Sequence, residues 1–255
     1  MLSQNYKEHE KVLEIRNRDI SFLSKQPDEK NKPRRGYSSL NSENFVTLKK
    51  IIKLENTKYN SYVSIATYSE VPKISLNPKL HWVEWRKWLE TNDETATKCD
   101  FFLDFDGEAT IEGLKEAWED VKIAKEMLPD LIGEQAKYLT TWFSGNKGFH
   151  ILGKCKIGGT WGNTAQEIIN KQKDIAMQME LLCPSIDTSI YDTARLRKLL
   201  GSYVYTKQFG KTRVIPICDE HEKDELQIAL ATKNTNWFEE KPLIRINNIK
   251  YEVEK

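Results

Sequence analysis

The sequence predicts a mixed α/β fold of the α+β kind, in which a sheet containing antiparallel strands is bracketed by helices. Three observations predict it. Residues 101–106 (Phe-Phe-Leu-Asp-Phe-Asp) and 61–68 (Ser-Tyr-Val-Ser-Ile-Ala-Thr-Tyr) have the aromatic and β-branched composition of strands. Two further runs, 138–144 and 149–152, are joined by Gly145-Asn146-Lys147-Gly148, a composition that makes a tight hairpin turn. Around them, Ile111, Leu114, Trp118, Val121 and Met127, and then the stretch from about 164 to 182, have the character of helices, the first with apolar residues at helical spacing.

In chain order, residues 1–24 read as a charged, moderately amphipathic helix and 25–36 (KQPDEKNKPRRG) as a polar, basic connector with two prolines. A second helix is predicted over 42–54, where Phe45, Leu48, Ile51 and Ile52 share a face. After the strand at 61–68, residues 81–90 carry Trp82, Trp85 and Trp88 three apart, a helix or turn with one indole face inward. Such a stripe is ordinarily core, because base stacking needs exposed aromatics. The helix opening at Ile111 is expected to stop near Pro129, which lacks the N–H to continue it. The hairpin, the 164–182 helix and the segment 186–198 follow. Strands at 203–205 and 213–217 then flank 207–211, and an apolar-dotted tail from Asn234 docks on the core.

At 255 residues, 39% hydrophobic and 10% aromatic, the chain can bury a real core. Its 39 basic and 38 acidic residues nearly cancel, so any nucleic-acid contact must come from a local basic face. The first 16 residues hold no apolar signal core, and no run approaches the ~20 apolar residues that span a bilayer. A cytoplasmic protein without a membrane partner is the expectation. Cys99, Cys155, Cys183 and Cys218 stand singly, which argues against a disulfide framework and a zinc knuckle and for reduced structural thiols.

The chemistry concentrates in three places. Asp104 and Asp106 lie two apart on the 101–106 strand, so they point to one side while Leu103 and Phe105 point to the other. Strands deplete Asp, and two close like charges are costly without a counter-charge, so the pair suits divalent metal ions held by oxygen ligands. The second place is Ser144-Gly145-Asn146-Lys147-Gly148-Phe149-His150, where turn N–H groups and a lysine suit a triphosphate. On its own this is the composition of an ordinary hairpin with a solvated lysine and a satisfied histidine. The third runs from Ser185 to Ser202, where Asp187 precedes Arg195, Lys198 and a Gly-Ser turn. Asp187 either completes a carboxylate set for two metal ions or caps a turn, with Arg195 and Lys198 in surface ion pairs.

Taken in order, the three blocks resemble the archaeo-eukaryotic primase superfamily, primase-polymerase type. Its pattern is an Asp-x-Asp or Asp-x-Glu strand, a Ser-Gly-x-x-Gly-x-His turn, and an apolar-Asp block leading into Arg-Leu-x-Arg/Lys-x-x-Gly-Ser, and here it spans about residues 60 to 217. The resemblance implies an N-terminal α/β module packed on an RRM-like unit with the active site in the cleft between. It also implies one domain over 1–255, divided into a helical part (1–60), a catalytic core (61–217) and a docking segment (218–255).

By the same resemblance, Asp104, Asp106 and Asp187 hold two Mg²⁺ or Mn²⁺ ions and are the catalytic residues. Ser144, Gly145, Lys147, Gly148 and His150 bind the incoming nucleotide, with Arg195, Lys198, Ser202 and Lys207 lining the same pocket. The implied partners are single-stranded DNA template, nucleoside triphosphates, and accessory replication or CRISPR proteins. The implied reaction is template-directed nucleotidyl transfer that makes primers de novo and extends them. Departures exist. Replicative primase subunits carry a histidine where this chain has Val204, a contact that Lys207 or Lys211 would replace, and the zinc-binding insertion of many relatives is absent. Arg34 or Arg35 would match a basic residue near the nucleotide. The departures look more like a primase-polymerase of a mobile element, virus or defence system than a chromosomal subunit, and the chain could be part of a longer protein. Two other readings fit the same carboxylates: a two-metal nuclease, which needs no phosphate turn, and a non-catalytic module binding single-stranded DNA, in which the acidic pair is structural.

Overall fold

The computed structural model describes residues 19–27, 33–39, 59–69, 87–88, 91–155, 161–198, 203–206, 210–217, 243–246 and 249–252. In chain order these form β1 (Asp19–Pro27), β2 (Pro33–Ser39), β3 (Tyr59–Ser64), β4 (Ala66–Tyr68), β5 (Ala96–Asp106), α1 (Ile111–Ile132), β6 (Thr140–Phe143), β7 (Gly148–Lys154) and α2 (Ala165–Met179). The short strands β8 (Leu196–Lys198), β9 (Tyr203–Thr206), β10 (Gly210–Arg213), β11 (Ile215–Ile217), β12 (Leu243–Ile246) and β13 (Ile249–Glu252) follow. The architecture is mixed α/β. Two compact units are interleaved along the chain: the first takes Met1–Cys99, Cys155–Ile169 and Asp192–Ser202, the second Asp100–Lys154, Asn170–Tyr191 and Tyr203–Lys255.

In the first unit an antiparallel sheet has the order β2-β1-β3-β8, with Phe22 opposite Gly36 on one side and Ser61 on the other. This corrects the helix expected through residue 24 and the connector expected over 25–36. Ile20 and Phe22 alternate with Ser21, a period-two pattern that long-range pairing to β3 turns into strand over any helical bias further upstream. Residues 1–18 and the helix expected at 42–54 lie outside the described residues, as do Trp82 and Trp85; Trp88 is half-buried.

The single strand expected over 61–68 is broken at Ile65. The Ile65 N–H continues the β3–β8 register by one pair, donating to the Arg195 carbonyl at 2.9 Å, and the Ser64 hydroxyl donates to the Ala66 carbonyl at 2.7 Å, a local bond that competes with further pairing. Beyond the break, β4 pairs with Ala96–Cys99 at the start of β5. The Tyr68 hydroxyl, on a fully buried ring, donates to the Thr193 carbonyl at 2.6 Å.

In the second unit β5 from Asp100 onward, β7, β6 and β11 form an antiparallel sheet in the order β11-β6-β7-β5. Register places Leu103 opposite Ile151 and Phe105 opposite Phe149, all four buried on one face. Helix α1 covers Phe149 with Trp118, ring centroids 5.0 Å apart. Burying each of these large side chains stabilises the fold by about 1.5–3 kcal/mol. The helix begins at Thr110, whose hydroxyl accepts the Gly113 N–H at 3.0 Å, and buries Leu114, Ala117, Trp118, Val121, Ala124 and Leu128 at spacings of three and four. It outruns Pro129 by three residues, because a proline this close to the end removes a single intrahelical bond, on the exposed side; Gly133, at φ 63°, ends it.

The strand expected at 213–217 is instead two. Gly210–Arg213 pairs with β9, and Ile215–Ile217 pairs with β6, either side of the fully buried Val214. In the tail, β12 and β13 pair with each other. Cys99, Cys155 and Cys183 are buried and, among the described residues, in no disulfide; Cys218 lies outside the described residues. Among the described residues no helix is long and apolar enough to cross a membrane.

Candidate active site

On the side of the second sheet opposite α1, the strand period brings the carboxylates of β5 to one face. Asp104 lies opposite His150 of β7, which lies opposite Trp142 of β6; Asp106 lies opposite Gly148. His150 Nε2 is 3.3 Å from Asp104 Oδ1, and the His150 ring meets Phe102 edge-on at 5.1 Å. Both Asp104 and His150 are almost wholly buried, and among the described residues His150 Nδ1 has no hydrogen-bond partner. Lys147, half-exposed in the turn, pairs with Asp106 through Nζ at 2.9 Å from Oδ2.

Asp187 arrives on the other edge of β5. The segment 185–187 runs antiparallel beside it: the Asp106 N–H donates to the Ser185 carbonyl at 2.7 Å, the Asp187 N–H donates to the Asp104 carbonyl at 2.8 Å, and Phe105 bridges to Ile186. That register sets Asp187 directly across from Asp104 and on the same face, where opposite residues have Cβ atoms about 4.5–5.5 Å apart. Three aspartates from segments more than 80 positions apart in the sequence thus neighbour one another. Their carboxylates, however, turn to three different partners. Asp104 faces His150, Asp106 faces Lys147, and Asp187 Oδ1 accepts the Ser189 N–H at 2.9 Å and the Ser189 hydroxyl at 2.6 Å. The turn-capping role left open for Asp187 by its sequence is therefore present. Among the described residues no three His, Cys, Asp or Glu side chains converge as a ready metal cage.

The turn between β6 and β7 is shaped by two glycines. Gly145 adopts φ 77°, a left-handed conformation that side chains resist, and its carbonyl accepts the Thr212 hydroxyl of β10. A Cβ on Gly148 would lie 1.7 Å from the Phe105 carbonyl oxygen, so only glycine lets β7 approach β5 beside Asp106. The Ser144 N–H closes the turn on the Gly148 carbonyl at 2.9 Å, and the buried Ser144 hydroxyl has no hydrogen-bond partner among the described residues.

The sequence-predicted residues divide between the two units. Asp104, Asp106, Ser144, Gly145, Lys147, Gly148, His150 and Asp187 all lie in the second, whereas Arg195 and Lys198 belong to the first, on and just before β8. Ser202 and Lys207 lie outside the described residues, Val204 is buried in β9, and Arg34, Arg35 and Lys211 fall on strands β2 and β10. Arg197, between the two singled-out bases, is the one that is buried.

Two supporting side chains escaped sequence reading. Gln172 of α2, fully buried, accepts the Phe102 N–H at 3.0 Å and donates to the Asp100 carbonyl at 2.9 Å, which occupies the edge of β5 just before Asp104. Asp120 of α1, also buried, accepts the Ser185 N–H at 2.7 Å through Oδ2. A Gln or Asp on an amphipathic helix looks like a solvated position, and only the loss of helical polarity on the inward face hints otherwise.

No protein-family model matches the chain, and no curated protein does. Among solved structures it is similar to the polymerase domain of Ligase D from Mycobacterium tuberculosis in complex with DNA, with TM-score 0.50 and 13% identity over 92% of this chain and 91% of that one. The primase RepB′ follows at TM-score 0.43 and 9% identity, over 91% of this chain and 65% of that one. The first of these likenesses shows a fold shared with that polymerase domain.

Proposed function

We propose that the chain is a DNA-dependent primase-polymerase, a nucleotidyltransferase that builds and extends primers on single-stranded DNA from nucleoside triphosphates. The observation that supports it best is the single row in which Asp187, Asp104 and His150 lie side by side, with Asp106 and Lys147 one step along the strand. A nuclease has no need of the Ser144–His150 turn, so that turn favours polymerisation over cleavage. The likeness to a polymerase domain in complex with DNA points the same way. The finer fold reading, an N-terminal α/β module and an RRM-like unit in one catalytic domain with a C-terminal docking segment, belongs to this proposal, as does a cytoplasmic location.

The donor set fits hard divalent cations. Three carboxylates offer oxygen ligands, the kind Mg²⁺ and Mn²⁺ take, and Asp104, Asp106 and Asp187 are the residues that would hold them. Such ions, when bound, acidify the attacking hydroxyl and take up charge on the leaving pyrophosphate. The chain's own groups do the rest. Lys147 and the N–H groups of the turn neutralise and orient the triphosphate, and His150, held against Asp104 and Phe102, adds a fixed donor rather than a base. Arg195, Lys198, Ser202 and Lys207 supply further phosphate or template contacts in this reading.

The test is synthesis on single-stranded DNA with labelled ribo- or deoxyribonucleotides and Mn²⁺, with and without a primer. Wild type is expected to make dinucleotides and extend primers, and the Asp104→Ala/Asp106→Ala variant to do neither. Extension that survives in the variant would overturn the assignment. Loss of labelled template without nucleotides would establish the nuclease, and DNA binding that is indifferent to the substitutions, with no synthesis by wild type, the non-catalytic module.

A further inference from the structure

We infer that Asp120 is a positioning residue for Asp187, which rests on the reading of Asp187 as a metal ligand. Segment 185–187 is a single bridge rather than a strand, and its backbone pairs with β5 through the Ser185 carbonyl and the Asp187 N–H. The Ser185 N–H donates to the buried carboxylate of Asp120 at 2.7 Å, a part-buried, charge-assisted bond.

The same helix position holds the segment a second time, since the Cys183 thiol lies 3.4 Å from the Asp120 carbonyl as a donor. The Cys183 N–H and the Leu182 N–H both return to the Met179 carbonyl, at 2.8 and 2.9 Å, so the chain leaves α2 in a turn aimed at Asp120. Residue 185 is therefore clamped between α1 and β5, and Asp187, two residues on, takes its place beside Asp104 from that clamp. Asp120 acts through Ser185 and Cys183. Its buried charge is otherwise a cost, which the Ser185 bond offsets.

The test uses the full chain as Asp120→Ala, Asp120→Asn, Asp187→Ala and Asp120→Ala/Asp187→Ala, with folding followed by circular dichroism. Two quantities are read: hydrogen exchange at the Ser185 amide without metal, and affinity for Mn²⁺ alone by electron paramagnetic resonance. Asn keeps a neutral acceptor, so exchange should quicken in the order wild type, Asp120→Asn, Asp120→Ala, and Mn²⁺ affinity should fall in the same order, by about tenfold or more for Ala, as for lost outer-shell partners. In the Asp187→Ala background, removing Asp120 should lower Mn²⁺ affinity no further.

A folded Asp120→Ala with wild-type exchange at Ser185 and wild-type Mn²⁺ affinity overturns the inference, and so does an undiminished affinity loss in the double variant. Should Asp120→Ala not fold, Asp120→Asn decides: faster exchange at Ser185 with weaker Mn²⁺ binding upholds the role, and wild-type exchange refutes it. If Asp187→Ala binds Mn²⁺ as wild type does, the metal reading of Asp187 is what has failed, and the clamp is then judged by exchange alone.

Discussion

Replacing Gln172 by methionine keeps the side-chain volume and removes both hydrogen bonds that the amide makes to the edge of β5. The Phe102 N–H is buried, and leaving it without an acceptor costs about 1–3 kcal/mol; the part-buried Asp100 carbonyl adds about 0.5–1.5 kcal/mol. Together the loss is about 2–4 kcal/mol, a large share of the ~5–15 kcal/mol that holds a folded domain. Urea unfolding followed by circular dichroism should register it as a midpoint lowered by about 1 M at unchanged slope. The Phe102 amide should also lose its protection against hydrogen exchange, while amides of odd-numbered residues such as Leu103, whose backbone faces β7, keep theirs. A Gln172→Met midpoint within about 0.3 M of wild type, with Phe102 still protected, would refute the reasoning that a side-chain amide stands in for a strand here.

Two further outcomes follow from the same geometry. Lys147→Ala removes a half-exposed ion pair, so it should cost the fold less than about 1 kcal/mol by urea unfolding. In primer extension it should raise the nucleotide KM about tenfold or more, as expected for a lost charged hydrogen bond, and an unchanged KM would remove Lys147 from the phosphate site. For Cys183, burial and then the nearby Asp120 charge push the thiol up from 9.0 to about 11. An unfolded chain releases that proton near pH 9 while the folded one keeps it, so above pH 9 the unfolded state binds fewer protons and stability falls with rising pH, by up to about 1.4 kcal/mol per unit, until pH 11. The difference in urea stability between wild type and Cys183→Ala should widen against wild type over that interval; a constant difference would contradict it.

What could be read from the sequence follows from how local each signal is. Asp104 and Asp106 were legible because alternation along one strand fixes which residues share a face, and the hairpin was legible because Gly145 and Gly148 are needed by the turn itself. Asp187 was different: nothing near it in sequence places it beside Asp104, and only its order behind the other motifs suggested the meeting that the Asp187 N–H to Asp104 carbonyl bond makes. The first strands were misread because Ile20 and Phe22 acquire strand character from pairing with residues 59–63, some 40 positions on. The breaks at Ile65 and Val214 were missed for a related reason, as each falls where the chain passes from one sheet to another. Gln172 and Asp120 were invisible because a polar residue that serves a distant backbone group carries no periodic mark of its own.

The outer edge of β5 is closed by three unrelated devices: strand β4 over Ala96–Cys99, the Gln172 amide at Asp100 and Phe102, and segment 185–187 at Asp104 and Asp106. The second comes from 70 residues downstream of Phe102 and the third from further still. During synthesis, the phenylalanine-rich middle of this strand therefore leaves the ribosome long before its covering groups exist, with hydrogen-bonding groups free along one side. Such a strand is a template for pairing with another chain, and closing loops of this length is slow. Of the three devices, the one that brings Asp187 to Asp104 is the last to be synthesised, so a chain that has acquired its candidate carboxylate cluster has also closed the far end of this edge.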